Sequence, residues 1–416
     1  MQQVADSSAK KSLIHLFRTL KYRNYRLFFM GQSISLIGTW LQLIAVSWLV
    51  YRLTGDVFML GLVGFLSRIP TFLVAPFAGV VADRYDRYKI LIWTQVLSML
   101  QAFIFAVLVF TGNIQVWHTI VLGVSLGLIN AFDVPVRQSF VVNIVEDKKD
   151  LGNAIALNSS MVNGARLIGP TAAGLLIAAV GEGWCFLINA ISFVAVISSL
   201  LMMKIKPMEF KNTNKSGFLE FKEGFSYAYE HKTISSLLLL LSIVSLIAIP
   251  YQVLMPAFAR EILKGGPKMF GFLMAAAGLG ALFGALYLGG RRSIIGLGRT
   301  VILASVLFGA GLITFSFTRT VWTSAIFLVI TGFGMMVQAA GTNTIIQTVV
   351  EEDKRGRVMS LYTMAFMGMH PFGSLLVGKL AALLGMPVTI CIGGAVCCLS
   401  AVLIGRKMLF PADGLK

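Results

Sequence analysis

The chain has 416 residues, 57% of them hydrophobic and only 13% charged, with a formal net charge of +17 at pH 7 and a mean hydropathy of +0.81. Soluble domains carry about 25% charged residues, so a water-solvated enzyme or binding module is excluded and lipid is the expected solvent. The excess of Lys and Arg does not call for nucleic acid, because short basic loops facing anionic lipid produce the same balance.

Residues 1–24 are polar and basic and are followed by a full apolar span rather than a short apolar core, so no cleavable signal peptide is expected and the first span itself starts insertion. Leu13, Leu16, Phe17 and Leu20 share a helical face opposite Lys11, Arg18 and Lys21. That pattern suits either a helix on the membrane surface or a solvated tail.

A helix crosses the hydrocarbon core with about 20 apolar residues, and such runs bounded by charge, Gly and Pro occur twelve times. They cover approximately 25–51, 57–81, 90–111, 116–140, 152–180, 183–203, 233–258, 268–289, 300–318, 321–346, 357–384 and 387–405. Lipid-facing strands would be shorter and would alternate in polarity. The expected fold is therefore an all-α integral membrane protein of 12 transmembrane helices. With both termini in the cytoplasm, the Lys and Arg left outside are Arg52, Arg260, Lys264, Lys268 and Arg319, while Arg68, Arg166 and Lys379 fall inside spans. All others lie in cytoplasmic segments, and that asymmetry sets the orientation.

The one long polar stretch between spans, 204–232, divides the chain into a cytoplasmic N-terminal segment (1–24), an N-terminal six-helix bundle (25–203), a cytoplasmic central loop (204–232), a C-terminal six-helix bundle (233–405) and a cytoplasmic tail (406–416). Phe218, Phe221, Phe225 and Tyr229 suit either a second surface helix in that loop or a plain tether. The halves echo each other: Met59, Gly61 and Gly79 match Met269, Gly271 and Gly289, and Glu146-Asp147-Lys148 matches Glu352-Asp353-Lys354. A duplicated unit implies two pseudo-symmetric bundles with a site between them near mid-membrane.

The stretch Gly79 to Lys89, GVVADRYDRYK, crowds five charges between spans 2 and 3. With six plus six helices and a basic central loop, it resembles the signature loop of the major facilitator superfamily. AFDVPVRQSF (131–140), LGNAIALNSSMVNGARLIGP (151–170) and GEGWCFLINAISF (181–193) resemble the branch of the bacterial enterobactin exporter and related efflux proteins. The loop departs from the family pattern at Asp86, where Gly is usual, and at Tyr88, where a second base is common. The resemblance implies that Gly79, Asp83, Arg84, Arg87, Asp133 and Arg137 form a gating latch in which Arg87 pairs with Asp133. From spacing alone, Arg137 reaches Asp133 one turn on. A carboxylate inside a span is also a candidate proton site, so both readings of Asp133 stand.

Polar residues recur at helical spacing on several spans: Gln32, Ser35, Thr39 and Gln42; Asn130, Asp133 and Arg137; Ser159, Asn163, Arg166 and Pro170; Thr363, His370 and Ser374. These stripes face a cavity or a neighbouring helix. Arg68 and Arg166 have no acid at their depth. Each must use backbone carbonyls, water or an anionic ligand, and with Gln32, Ser35, Thr39, Gln42, Asn130 and Asn163 they form the candidate substrate-binding set. Lys379 lies near a span end and can snorkel, and His370 reads as a hydrogen-bonded packing residue or a proton relay. On span 5, Gly169, Pro170 and Gly174 resemble the helix-bending antiporter motif of superfamily exporters, with Ala165 and Ala173 in place of two of its glycines.

A Walker loop, His-Glu-x-x-His and Gly-x-Ser-x-Gly are all absent from the sequence, so no enzyme is expected. Cys185, Cys391, Cys397 and Cys398 lie in or beside spans and act as small apolar groups, with no disulfide, metal or cofactor assigned. The combined expectation is a secondary active transporter of the bacterial inner membrane, working as a monomer among lipids on a small-molecule substrate and driven by an ion gradient, with protons as the expected coupling ion. Export of an amphipathic or anionic compound stands first. An importer, a lysolipid flippase on the same fold, or a non-transporting sensor or assembly partner are the alternatives.

Overall fold

The computed structural model describes residues 17–205, 217–291, 293–352 and 354–409, with the side chains of Phe17, 75–84, Lys148, 217–222 and 407–409 outside that set. The surface-helix pattern at Lys11, Leu13, Leu16 and Phe17 and the contacts of Phe218 and Phe221 therefore lie outside the described residues. So do the side chains of Asp83 and Arg84, and the surroundings of Gly79.

Among the described residues, twelve helices are long and apolar enough to cross a membrane. In chain order they are α1 (Arg23–Thr54), α2 (Val57–Arg84), α3 (Arg87–Phe110), α4 (Val116–Ile144), α5 (Leu151–Val180), α6 (Glu182–Leu201), α7 (Lys232–Ile262), α8 (Pro267–Gly289), α9 (Leu297–Ser316), α10 (Val321–Val349), α11 (Arg355–Leu384) and α12 (Met386–Leu409). Most run a few residues past the apolar runs, because lipid leaves no partner for an open backbone and the helix continues until water, Tyr, Lys or Arg can satisfy its ends. Within the central loop, Gly217–Glu230 is also helical, with Phe225 and Tyr229 exposed.

Packing divides the chain into two compact units, residues 1–46 with 73–212 and residues 47–72 with 213–416. The partition is not that of the two sequence halves, since the last turns of α1 and the first half of α2 pack with the later helices. In the first unit, Tyr22, Tyr25, Phe28, Leu91, Phe140, Leu157 and Leu200 bring five helices to one buried cluster. Phe105 and Phe186 stack at 4.7 Å where α3 meets α6. In the second unit, α10 is packed against both α8 and α9, and α9 against α12.

Among the described residues, three segments within the spans are wider than an α-helix. Val244–Ala248 and Phe258–Ile262 in α7 and Met364–Gly368 in α11 are π-helical. Such single-turn bulges mark bends and functional positions inside long helices. Both helices also carry Pro beside a bulge, Pro250 and Pro371, each removing a ladder donor.

Candidate functional site

The signature loop opens α3. Asp86 sits before the first helical residue and its carboxylate accepts from the Tyr88 amide at 2.9 Å. The residue that departs from the family pattern therefore serves as an N-cap, satisfying one of the orphan donors at a helix start.

Two turns further on, α3 presents Thr94, Gln95, Ser98 and Gln101, all buried. Asp133 of α4, 5% exposed, accepts from Thr94 Oγ1 at 2.9 Å and from Gln95 Nε2 at 2.7 Å, and Arg137 Nε lies 3.4 Å away. The i,i+4 pair with Arg137 was legible from spacing, whereas the two donors on α3 were not singled out. The signal that could have found them is the polar run 94, 95, 98 and 101 on an otherwise apolar span, which must face another helix.

Gln42, a candidate substrate contact, lies in a chain of side-chain hydrogen bonds between helices. Its Nε2 donates to Gln101 Oε1 at 2.9 Å, its Oε1 accepts from Asn189 Nδ2 at 2.7 Å, and Gln101 Nε2 in turn donates to the Leu122 carbonyl at 3.1 Å. This chain of hydrogen bonds ties α1, α3, α4 and α6 together, with one donor and one acceptor position of the Gln42 amide engaged between helices. Gln32 and Ser35 are buried on the same helix, whereas Thr39 is exposed and donates back to the Ser35 carbonyl at 2.9 Å. Asn163 likewise donates to the Ser159 carbonyl at 2.9 Å, and Asn130 is half-buried.

Arg166 is half-buried on α5, with its guanidinium carbon 6.0 Å from the centre of the Trp40 ring. One turn on, a side chain at Gly169 would overlap Cβ of Trp40, so the small residue is what lets α1 and α5 approach and brings the indole under the cation. Gly169, Pro170 and Gly174 are all buried.

In the second unit, Arg68 Nη1 lies 3.2 Å from His370 Nδ1, and Ser374 Oγ lies 3.3 Å from the same nitrogen. Carbonyls, water or a ligand were the expected partners of Arg68. An imidazole 302 residues away fills that place, and it could not be found by looking for an acid.

The entry to α1 is held by a carboxylate absent from the expected site. Asp150, just ahead of α5, is 2% exposed and receives the Tyr22 hydroxyl at 2.7 Å and Lys21 Nζ at 2.9 Å, with Arg18 at 3.4 Å. Hydrogen bonds from Lys21 and Tyr22 hold its carboxyl below the usual carboxylate range, and bonding to Tyr22 and Asp150 raises Lys21. Among the described residues no group of three or more His, Cys, Asp or Glu is placed to hold a metal ion.

The profile of the family described as transmembrane secretion effector matches residues 15–414. The chain belongs to this family of major facilitator superfamily transporters. It is 29% identical to the staphyloferrin A transporter of Staphylococcus aureus over 92% of this chain and 96% of that one. It is 23% identical to an enterobactin exporter of Salmonella choleraesuis over 97% and 96%. Among solved structures it matches a bacterial homologue of the human lysosomal transporter Spinster, in an inward-facing, unoccupied conformation, with a TM-score of 0.68 at 15% identity, covering 93% of this chain and 98% of that one. The protein is thus a multi-pass transporter of the bacterial inner membrane that acts on small molecules, and it is not an enzyme.

Proposed function

We propose that the protein is an exporter working by alternating access, which moves a small amphipathic or anionic compound, siderophore-like or drug-like, out of the cell in exchange for protons. The observation that carries this reading is Arg166, a guanidinium held on the face of Trp40 within a membrane span, in a chain similar over nearly its whole length to proteins named as siderophore transporters. A planar guanidinium binds a carboxylate or catecholate group as a fork, which a lysine cannot reproduce. Both termini are then cytoplasmic. Asp83, Arg84, Arg87, Asp133 and Arg137 belong to a latch on that side, with Asp133 bridging helices rather than carrying the proton. No cofactor takes part, and the monomer is the working unit.

The test is uptake of carboxylate and catecholate siderophores and of macrolides into inverted membrane vesicles under an imposed pH gradient. Accumulation that collapses with the gradient, and an affinity for anionic compounds weakened by Arg166→Lys and more by Arg166→Ala, is the expected result. Accumulation in right-side-out vesicles instead makes the protein an importer, exchange of lysolipids a flippase, and no flux of any compound a sensor. If Asp133→Asn keeps substrate exchange but loses all response to the pH gradient, the assignment of Asp133 to the latch is wrong.

A further inference from the structure

Within the second unit, α2 and α11 run past each other in opposite directions. Gly61 meets Gly378, Gly64 meets Ser374, Arg68 meets His370, and Phe72 lies on Gly368. The approach is close: a Cβ on Gly378 would come within 2.8 Å of Gly61 Cα. Phe372 sits between Phe65 and Phe72, with ring centres 5.8 and 5.6 Å apart. The contact is therefore apolar and small-residue packing interrupted by one polar layer. That layer directly follows the π-helical turn Met364–Gly368 and precedes Pro371, while Gly373 packs on the backbone of Leu246 in the π-helical turn of α7. Irregular segments of two helices thus meet beside His370, where the backbone is best able to adopt a second arrangement.

The chemistry of the layer depends on the imidazole. A guanidinium only donates, so Nδ1 of His370 accepts from Arg68 and the ring is neutral, with its hydrogen on Nε2. A proton taken from water by the Nδ1 lone pair forms an N–H bond there and leaves the ring positively charged. The acceptor is then gone and two cations face each other. Ser374 offers the new N–H an alternative: its Oγ lies 3.3 Å from Nδ1 and currently donates to the His370 carbonyl at 2.9 Å, keeping its lone pairs available. Both Arg68 and His370 keep part of their surface uncovered by protein.

We propose that His370 is a proton-binding site that controls the packing of α11 on α2: neutral, it holds Arg68; protonated, it turns to Ser374 and releases the contact. The described titratable groups on the elements around it are Lys232, Tyr251, Arg260 and Glu261 of α7, Cys391, Cys397, Cys398 and Arg406 of α12, and Arg355, Arg357, Tyr362 and Lys379 of α11. Glu261 is bound by the Tyr51 hydroxyl, and Arg68 is the one charged side chain acting on the His370 ring among the described residues. No carboxylate is there to keep a protonated imidazole beside the guanidinium. The switch goes beyond the export reading and holds whichever ion drives the cycle.

Hydrogen–deuterium exchange of the full-length protein in lipid nanodiscs tests it, following residues 57–72 and 369–384 at about pH 8 and about pH 4.5, the lower value set under the ordinary imidazole range because the facing guanidinium opposes a second cation, with intrinsic exchange rates divided out. The contact should persist at the higher pH and weaken as pH falls through the imidazole titration, raising exchange in both segments about tenfold, the size of one hydrogen bond to a charged group. His370→Gln, whose amide oxygen accepts from Arg68 without titrating, should stay protected at both pH values, and His370→Lys should exchange fast at both. Arg68→Gln, which leaves the imidazole nothing to repel, should lose the acid step. Equal protection of the wild type at the two pH values, or an unchanged acid step in His370→Gln or Arg68→Gln, overturns the proposal.

Discussion

Each compact unit contains an ionisable group on a membrane span, and the two are held in opposite ways. Asp133 is bracketed by Thr94, Gln95 and Arg137, donors from two helices that keep their hydrogens over the whole physiological range. Arg68 has, among the described residues, the single hydrogen-bond partner His370, whose capacity to accept depends on one proton. A group surrounded by permanent partners cements its helices; a group held by a titratable partner has packing that conditions can change. Burial alone does not separate the two, and the number and kind of partners does.

The sharpest way to break the comparison is to remove each charge. Asp133→Leu leaves Gln95 and Arg137 without their acceptor and should lower stability by about 3–5 kcal/mol, the cost of stranding buried partners. Thermal unfolding in detergent and folded yield measure it. Arg68→Met removes a cation and leaves a neutral imidazole, so the loss should be about 1 kcal/mol. Equal losses in the two variants would show that the partners are equivalent and the contrast unfounded.

The packing around the second pair can be tested without touching charge. Gly378→Ala pushes a methyl into the Gly61 backbone, and the overpacking should cost about 1–3 kcal/mol in the same melt. A variant as stable as wild type would mean that α2 and α11 already move apart easily.

A third ionisable group, the Asp150 carboxylate, extends the comparison to the polar end of the bundle. Because the Asp150 carboxyl is held below its usual range, the attachment of residues 18–22 is present above the ordinary carboxylate range and is lost as pH falls through the depressed value. Amide exchange of that segment on acidification should show the step, and Asp150→Asn should remove it. The smallest effect is expected where the helix Gly217–Glu230 meets α11. Glu223 pairs there with Arg357 in the open, and Glu223→Ala should cost about 0.2–1 kcal/mol, less at high salt. A larger or salt-independent loss, read by denaturation at two ionic strengths, would show that the pair is desolvated.

Resemblance to the superfamily implied a transporter, and by itself the sequence determined that there are twelve spans and that a polar segment separates six from six. These follow from local properties: a run of about 20 apolar residues is a helix in lipid wherever its neighbours lie, because the backbone has no other partner there. The Asp133–Arg137 pair was legible for the same reason, being set by spacing along one helix, whereas Gly169 and Pro170 were marked by the resemblance to the antiporter motif. What only the tertiary structure decided is which polar group answers which across helices. Thr94 and Gln95 of α3 reach Asp133, Gln42 joins Gln101 to Asn189, and Asp150 secures a segment 128 residues earlier at Tyr22. Arg68 meets an imidazole rather than an acid. Helical periodicity states that a polar face must be turned away from lipid, but the partner it meets depends on how rigid helices pack in three dimensions, and packing is settled by contacts between residues hundreds of positions apart.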